Sequence, residues 1–191
     1  MTNLDDLRAQ WRSGRRPTFF MFWGHRAVPA ASVGRWCLSQ WWPAPFAVDG
    51  VAYPTAEHFM MASKARLFDD ADAYDQILAN PDPAHAKAVG RLIRGFDEHK
   101  WRPARYGFVV EGNLAKFRQN SEVRGFLLSI REDIFVEASP TDTVWGIGLR
   151  ESDPAALDPE KWRGLNLLGF ALVEVRRRIQ LDGLVHTPVR G

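Results

Sequence analysis

A helix-rich α+β fold is predicted, a single domain with a few short strands. Three observations predict it. Segments that read as helices clearly outnumber strands, the extended runs are short and scattered, and strands and helices lack the regular alternation of a Rossmann sheet or a barrel. At 191 residues with 46% hydrophobic content the chain can bury enough surface to need no disulfide or structural metal.

Leu4, Leu7 and Trp11 have helical spacing over 4–12, and the stretch from Gly14 to Pro17 ends that helix. Phe19 to Trp23 is a continuous aromatic and Met run, short enough for a buried strand. Residues 24–45, rich in Gly, Pro, Ser and Trp, read as irregular. Asp49-Gly50 between two short apolar runs ending at Tyr53 predicts a tight hairpin. Thr55 is an N-cap for a helix through Phe68, with Glu57 in the first turn where the dipole favours an anion. Helices are expected over 71–79 and 83–95, the latter on the spacing of Ala86, Val89, Leu92, Ile93 and Phe96. Two more are expected over 103–119 and 121–130, then a strand at 135–138 and a loop or bulged strand at 144–149. Leu168, Ala171, Leu172, Val175 and Ile179 make 167–181 the clearest amphipathic helix. Residues 1–17 read as a basic N-terminal helix and extension, 18–182 as the domain and 183–191 as a flexible tail.

A net charge of +2 gives no ground for nucleic-acid or membrane binding from bulk charge. Arg8, Arg12, Arg15 and Arg16, and Arg176 to Arg178, read as solvated faces. The single Cys37 excludes an internal disulfide and a zinc ribbon and points to a reducing compartment. No run of about 18 apolar residues is present, so the expectation is a cytoplasmic protein without a membrane partner, a metal or a cofactor.

Two segments carry candidate chemistry. Glu57, Met61 and Lys64 stand at i, i+4 and i+7, so a carboxylate and an amine project from one helix stripe, about 10.5 Å apart along the axis. If the stripe packs inward, desolvation shifts both groups; if it lies at the edge of a core, their charges stay in solvent. The second segment is the loop after the 135–138 strand, where Asp142 and Trp145 precede Gly146 and Gly148. Its Gly-Ile-Gly is no dinucleotide fingerprint, because a third glycine and a following helix are missing.

Several blocks occur together in one order: Phe20-Met21-Phe22-Trp23, Leu38 to Pro43, Tyr53 to Ala65, Gly90-Arg91, Val136 to Pro140 with Asp142, Trp145 to Gly148, and Gly164 to Gly169 with Arg176. In that order, from about residue 18 to 180, the chain resembles the NADAR, or YbiA-like, family. The resemblance implies a mainly helical α+β fold and cleavage of an N-glycosidic bond, in ribosylated intermediates of riboflavin synthesis or in ADP-ribose attached to guanine. It implies catalytic roles for Glu57, Lys64 and Asp142, and substrate contacts from Phe22, Trp23, Trp42, Arg91, Trp101, Trp145, Gly146 and Asn166. Thr141 stands where the family has Tyr, Leu165 where Lys is common, and Trp41-Trp42-Pro43 replaces an aromatic-Tyr-Pro block.

Breaking a ribosyl C1–N bond builds positive charge on the sugar and negative charge on the base. Carboxylates such as Glu57 and Asp142 suit the first, and aromatic rings such as Trp145 stack on the second. An amine with a lowered pKa offers a covalent route through a Schiff base, for which Lys64 is the candidate. The expected partner is thus a ribosylated or ADP-ribosylated base, including one in DNA held by the basic N-terminus. Non-catalytic binding of ADP-ribose or a nucleotide is the alternative.

Overall fold

The computed structural model describes residues 3–24 and 33–185. In chain order its elements are α1 (Leu4–Arg12), β1 (Phe19–Phe22), β2 (Phe46–Val48), β3 (Val51–Tyr53), α2 (Ala56–Leu67), α3 (Ala71–Ala79), α4 (Pro83–Arg91), α5 (Glu98–Gln119), α6 (Ser121–Ser129), β4 (Ile134–Glu137) and α7 (Leu167–Val185). Short 3-10 turns occupy Arg35–Leu38, Pro154–Leu157 and Pro159–Lys161. The architecture is helix-rich α+β, as the sequence predicts. It sorts into two compact units, one made of the chain up to Leu38 and from Glu122 onward, the other of Ser39–Ser121. Residues 183–185 of the C-terminal tail expected over 183–191 belong to α7, and the other residues of that expected tail lie outside the described residues, as does part of the irregular stretch before Val33.

In the first unit β1 and β4 pair in parallel, Phe19 opposite Ile134 through Phe22 opposite Glu137. Thr18 and Asp133 lock the entry to both strands: the Thr18 N–H donates to Asp133 Oδ2 at 2.9 Å, and the Asp133 N–H donates to Thr18 Oγ1 at 3.0 Å. A parallel pair needs a crossover connection, and the entire second unit lies within it. The buried stripe Leu168, Ala171, Leu172, Val175 and Ile179 is the apolar side of α7, which packs on β4. Trp11 of α1 stacks on Phe19 at 6.0 Å, and Arg8 donates to the carbonyls of Pro159 and Trp162, which ties the N-terminal helix into this unit.

The second unit opens with the hairpin of β2 and β3. Asp49 and Gly50 both take positive φ, 50° and 80°, as the primed turn demands, and few residues other than Asp, Asn and Gly accept that conformation. Phe46, Tyr53 and Phe59 then cluster with ring centroids 5.1 to 6.0 Å apart. Helix α2 packs against α3, α4, α5 and β3, and every residue from Ala56 to Ala65 is buried. Thr55 caps it as expected.

Within this unit two boundaries differ from expectation by several residues. Helix α4 stops at Arg91, so the apolar spacing that suggests a helix to 95 ends in a loop, with Leu92 80% and Phe96 45% exposed. Helix α5 begins at Glu98, five residues before Pro103, because Asp97 accepts the His99 N–H at 2.8 Å and caps it there. Pro103 sits in the helix interior, where it forgoes one hydrogen bond.

Close approach of α4 to α2 depends on Gly90, where a Cβ would lie 2.1 Å from Met61 Sδ and 2.9 Å from its Cγ. Gly90→Ala is therefore expected to lower stability by about 1–3 kcal/mol through overpacking. Urea denaturation checks it: the midpoint should fall without a change in slope.

Candidate active site

Lys64 is 9% exposed on α2, so its stripe packs inward. Its Nζ donates to the Gly90 carbonyl at 2.6 Å. It also lies 4.2 Å from the centre of the Phe96 ring and 5.5 Å from that of Trp101. Such faces attract a cation, yet they replace only part of the water that an ammonium loses. Burial accordingly holds the amine below its ordinary pKa, and the carboxylate of Glu98 opposes that shift. The same glycine that lets α4 approach α2 thus supplies the acceptor for the lysine. Arg91, the next residue, is exposed at the end of α4.

The loop from Leu92 to Asp97 carries Phe96 to Lys64. Asp70 anchors it: its carboxylate accepts the backbone N–H of Arg94 at 2.8 Å and the Arg94 guanidinium at 2.7 Å, and also caps α3 through the Ala73 N–H. Arg94's hydrogen bonds push the Asp70 pKa down to about 2. A carboxyl whose pKa is depressed on folding stabilises the protein above its unfolded value of about 3.9, and that stabilisation is lost as pH falls toward 2. Asp70→Asn should therefore lower Tm at pH 7, and the gap to wild type should close between about pH 4 and pH 2. Thermal melts across that range check it.

Glu57, 3% exposed, lies two turns before Lys64, and its backbone N–H donates to the Gln40 carbonyl at 3.0 Å. Gln40 in turn accepts from the Asn113 amide at 2.6 Å, which brings α5 to the start of α2. His58 beside it is structural: Nε2 meets the Asn80 carbonyl at 2.9 Å and so carries the proton, leaving Nδ1 to accept from Thr55. Burial lowers its pKa and keeps it neutral. Trp42 is half-buried in this unit, and Trp101 is 8% exposed.

Asp142, Trp145, Gly146 and Asn166 belong to the first unit and meet there. Asp142 Oδ1 accepts the N–H groups of Val144 and Trp145 at 2.9 and 2.7 Å, so the carboxylate shapes its own loop. The Asn166 side chain imitates a strand: Oδ1 accepts the Glu137 N–H at 3.0 Å and Nδ2 donates to the Phe135 carbonyl at 2.9 Å. Asn166 and Phe22 are fully buried and Gly146 is buried, so in this structure all three serve the packing around β4, whereas Trp145 is half-buried and Trp23 is 57% exposed. Among the described residues no group of three metal-ligating side chains converges, and no helix is long and apolar enough to cross a membrane.

The sequence model of the NADAR domain matches residues 21–180. The chain belongs to the NADAR family. Its similarity to proteins named N-glycosidases extends over most of both chains. It is 37% identical over 148 residues to an N-glycosidase of Acanthamoeba polyphaga mimivirus, covering 75% of this chain and 87% of that protein. It is 30% identical over 144 residues to an N-glycosidase of Nostoc punctiforme, covering 75% and 85%. The solved structure of Escherichia coli YbiA superposes with a TM-score of 0.70 at 25% identity, covering 92% of this chain and 93% of that one.

Within this NADAR chain, the residues that sequence reasoning misses are those that enclose Lys64. Apolar spacing assigns Phe96 to a helix face, and Gly90 supplies a main-chain atom that no side-chain pattern reveals. Only Asp97, an N-cap that restarts the helix, offers a signal that Phe96 lies in a loop.

Proposed function

We propose that the bond cut is a ribosyl C1–N bond, with Lys64 as the amine at C1 and Glu57 as its proton-transfer partner. The chain is an N-glycosidase, the class of its named relatives, and the substrate is a ribosylated base. One observation carries the reading: an amine buried against two aromatic rings and a carbonyl, with its pKa lowered by burial. Neutral Nζ attacks C1 as Glu57 gives its proton to the departing base; the new secondary ammonium then passes a proton to the ring oxygen as the ring opens, and the later hydrolysis returns a proton to Glu57. The sugar ring opens to a Schiff base, which water hydrolyses to the free sugar and the starting amine. Two helical turns, about 10.5 Å along the axis, separate Glu57 from Lys64 and leave room for sugar and base between them.

The two substrate classes to compare are ADP-ribosyl-guanine in an oligonucleotide and a ribosylamino-pyrimidine of riboflavin synthesis. Of the N-terminal arginines expected to hold a strand, Arg8 and Arg12 are engaged within the first unit by main-chain carbonyls and by Glu160, and Arg16 lies over Trp11. Incubation with each substrate, with borohydride added to one portion, tests the reading by mass spectrometry. Release of free base and a trapped sugar adduct on Lys64 are expected. Intact substrate in both arms, with ADP-ribose bound tightly, would establish a binding module instead.

A further inference from the structure

The surroundings of Lys64 contain a second cation that this chemistry leaves unused. Glu98, Trp101 and Arg105 stand at i, i+3 and i+7 on α5 and share one stripe, with Trp101 in the middle and 5.5 Å from the lysine Nζ. Arg105 is only 9% exposed, yet its Nε has no hydrogen-bond partner among the described residues. Its ion pair with Glu98 is long, 3.5 Å, and Glu98 itself is 56% exposed. A buried guanidinium N–H without an acceptor is rare in native proteins. Two cations share one half-solvated carboxylate, so an anion arriving here would find donors already desolvated.

We propose that Arg105, with Trp101 as its floor, forms a phosphate subsite beside Lys64. The proposal rests on the reading of Lys64 as the residue at the sugar carbon. Arg105 lies one helical turn beyond Trp101, about 6 Å along the axis, which suits a phosphate carried on the far end of a ribose. Arginine presents a planar fork that matches phosphate oxygens, and Glu98 is free to turn into solvent when they arrive. The ligand chemistry is a sugar phosphate. A ribose 5-phosphate end and the pyrophosphate of ADP-ribose share it.

Calorimetric titration with ribose, ribose 5-phosphate and ADP-ribose, on wild type, Arg105→Gln and Arg105→Lys, tests this. Wild type should bind the phosphorylated ligands about ten- to a hundredfold more tightly than ribose. Arg105→Gln should bring that ratio close to one, and Arg105→Lys should keep part of it. A preference for ADP-ribose alone assigns the subsite to the pyrophosphate; one shared by ribose 5-phosphate assigns it to a single phosphate. An unchanged ratio in Arg105→Gln, or no preference in wild type, overturns the proposal. Should the variants fail to fold, the Nε–H resonance of Arg105 in wild type decides: it should shift on addition of inorganic phosphate, and its failure to move defeats the subsite. A phosphate preference that survives when wild type releases no base would defeat the glycosidase reading and leave the subsite standing.

Discussion

Lys64→Met should abolish base release, reducing kcat at least about a thousandfold, because the proposed chemistry runs through this amine. The fold should tolerate the change. Methionine fills a similar volume, and removing the ammonium lifts the desolvation that depresses its pKa, while the Gly90 carbonyl loses its donor. These effects oppose each other, so Tm should stay close to wild type while the borohydride-trapped adduct disappears. Lys64→Arg should be equally inactive, since a guanidinium keeps its proton. In the proposed mechanism the reactive form is the neutral amine, and its fraction grows as pH rises. The ascending limb of the rate profile should therefore have its midpoint below 10.5, the ordinary lysine value. A Lys64→Met enzyme with near-normal turnover would sink the covalent mechanism.

Glu57→Gln should reduce kcat by about a hundredfold to ten-thousandfold, the range for losing a positioned proton-transfer group. The amide keeps the shape of the side chain, and the backbone N–H that holds Gln40 is untouched. Binding of substrate should change little, so the loss belongs in kcat and not in KM. Substrates with better leaving groups should recover part of the rate, because they need the proton less. Equal losses for good and poor leaving groups would show that Glu57 has some other task.

The parts legible in the sequence are those specified by local chemistry. Thr55, Asp49-Gly50 and the stripe of α7 announce a cap, a turn and a buried face through the residues themselves, and the structure has each in that place. The parallel pairing of β1 with β4 has no local signature, since both are short apolar runs that many registers would satisfy. The same divide applies to the site. Glu57 and Lys64 share a stripe by arithmetic, but whether that stripe faces solvent depends on helices packing from several sides. Asn166 and Asp142 lie in blocks that carry the family resemblance, and no local pattern announces that their side chains stand in for main chain around β4 and its loop.

The place of Ser39–Ser121 in the chain, between the two strands that pair, sets a timetable for biosynthesis. Thr18 and Asp133, which clasp those strands together, are 115 positions apart. As the chain leaves the ribosome, the second unit has all its own residues in hand while β1 still waits for its mate. Loop closure of that length is slow compared with local helix formation. Phe19 to Phe22, an aromatic run with an open edge, is thus made before the second unit and sheltered by its partner strand only after it. The interval before β4 emerges is therefore when this run of apolar side chains is most exposed.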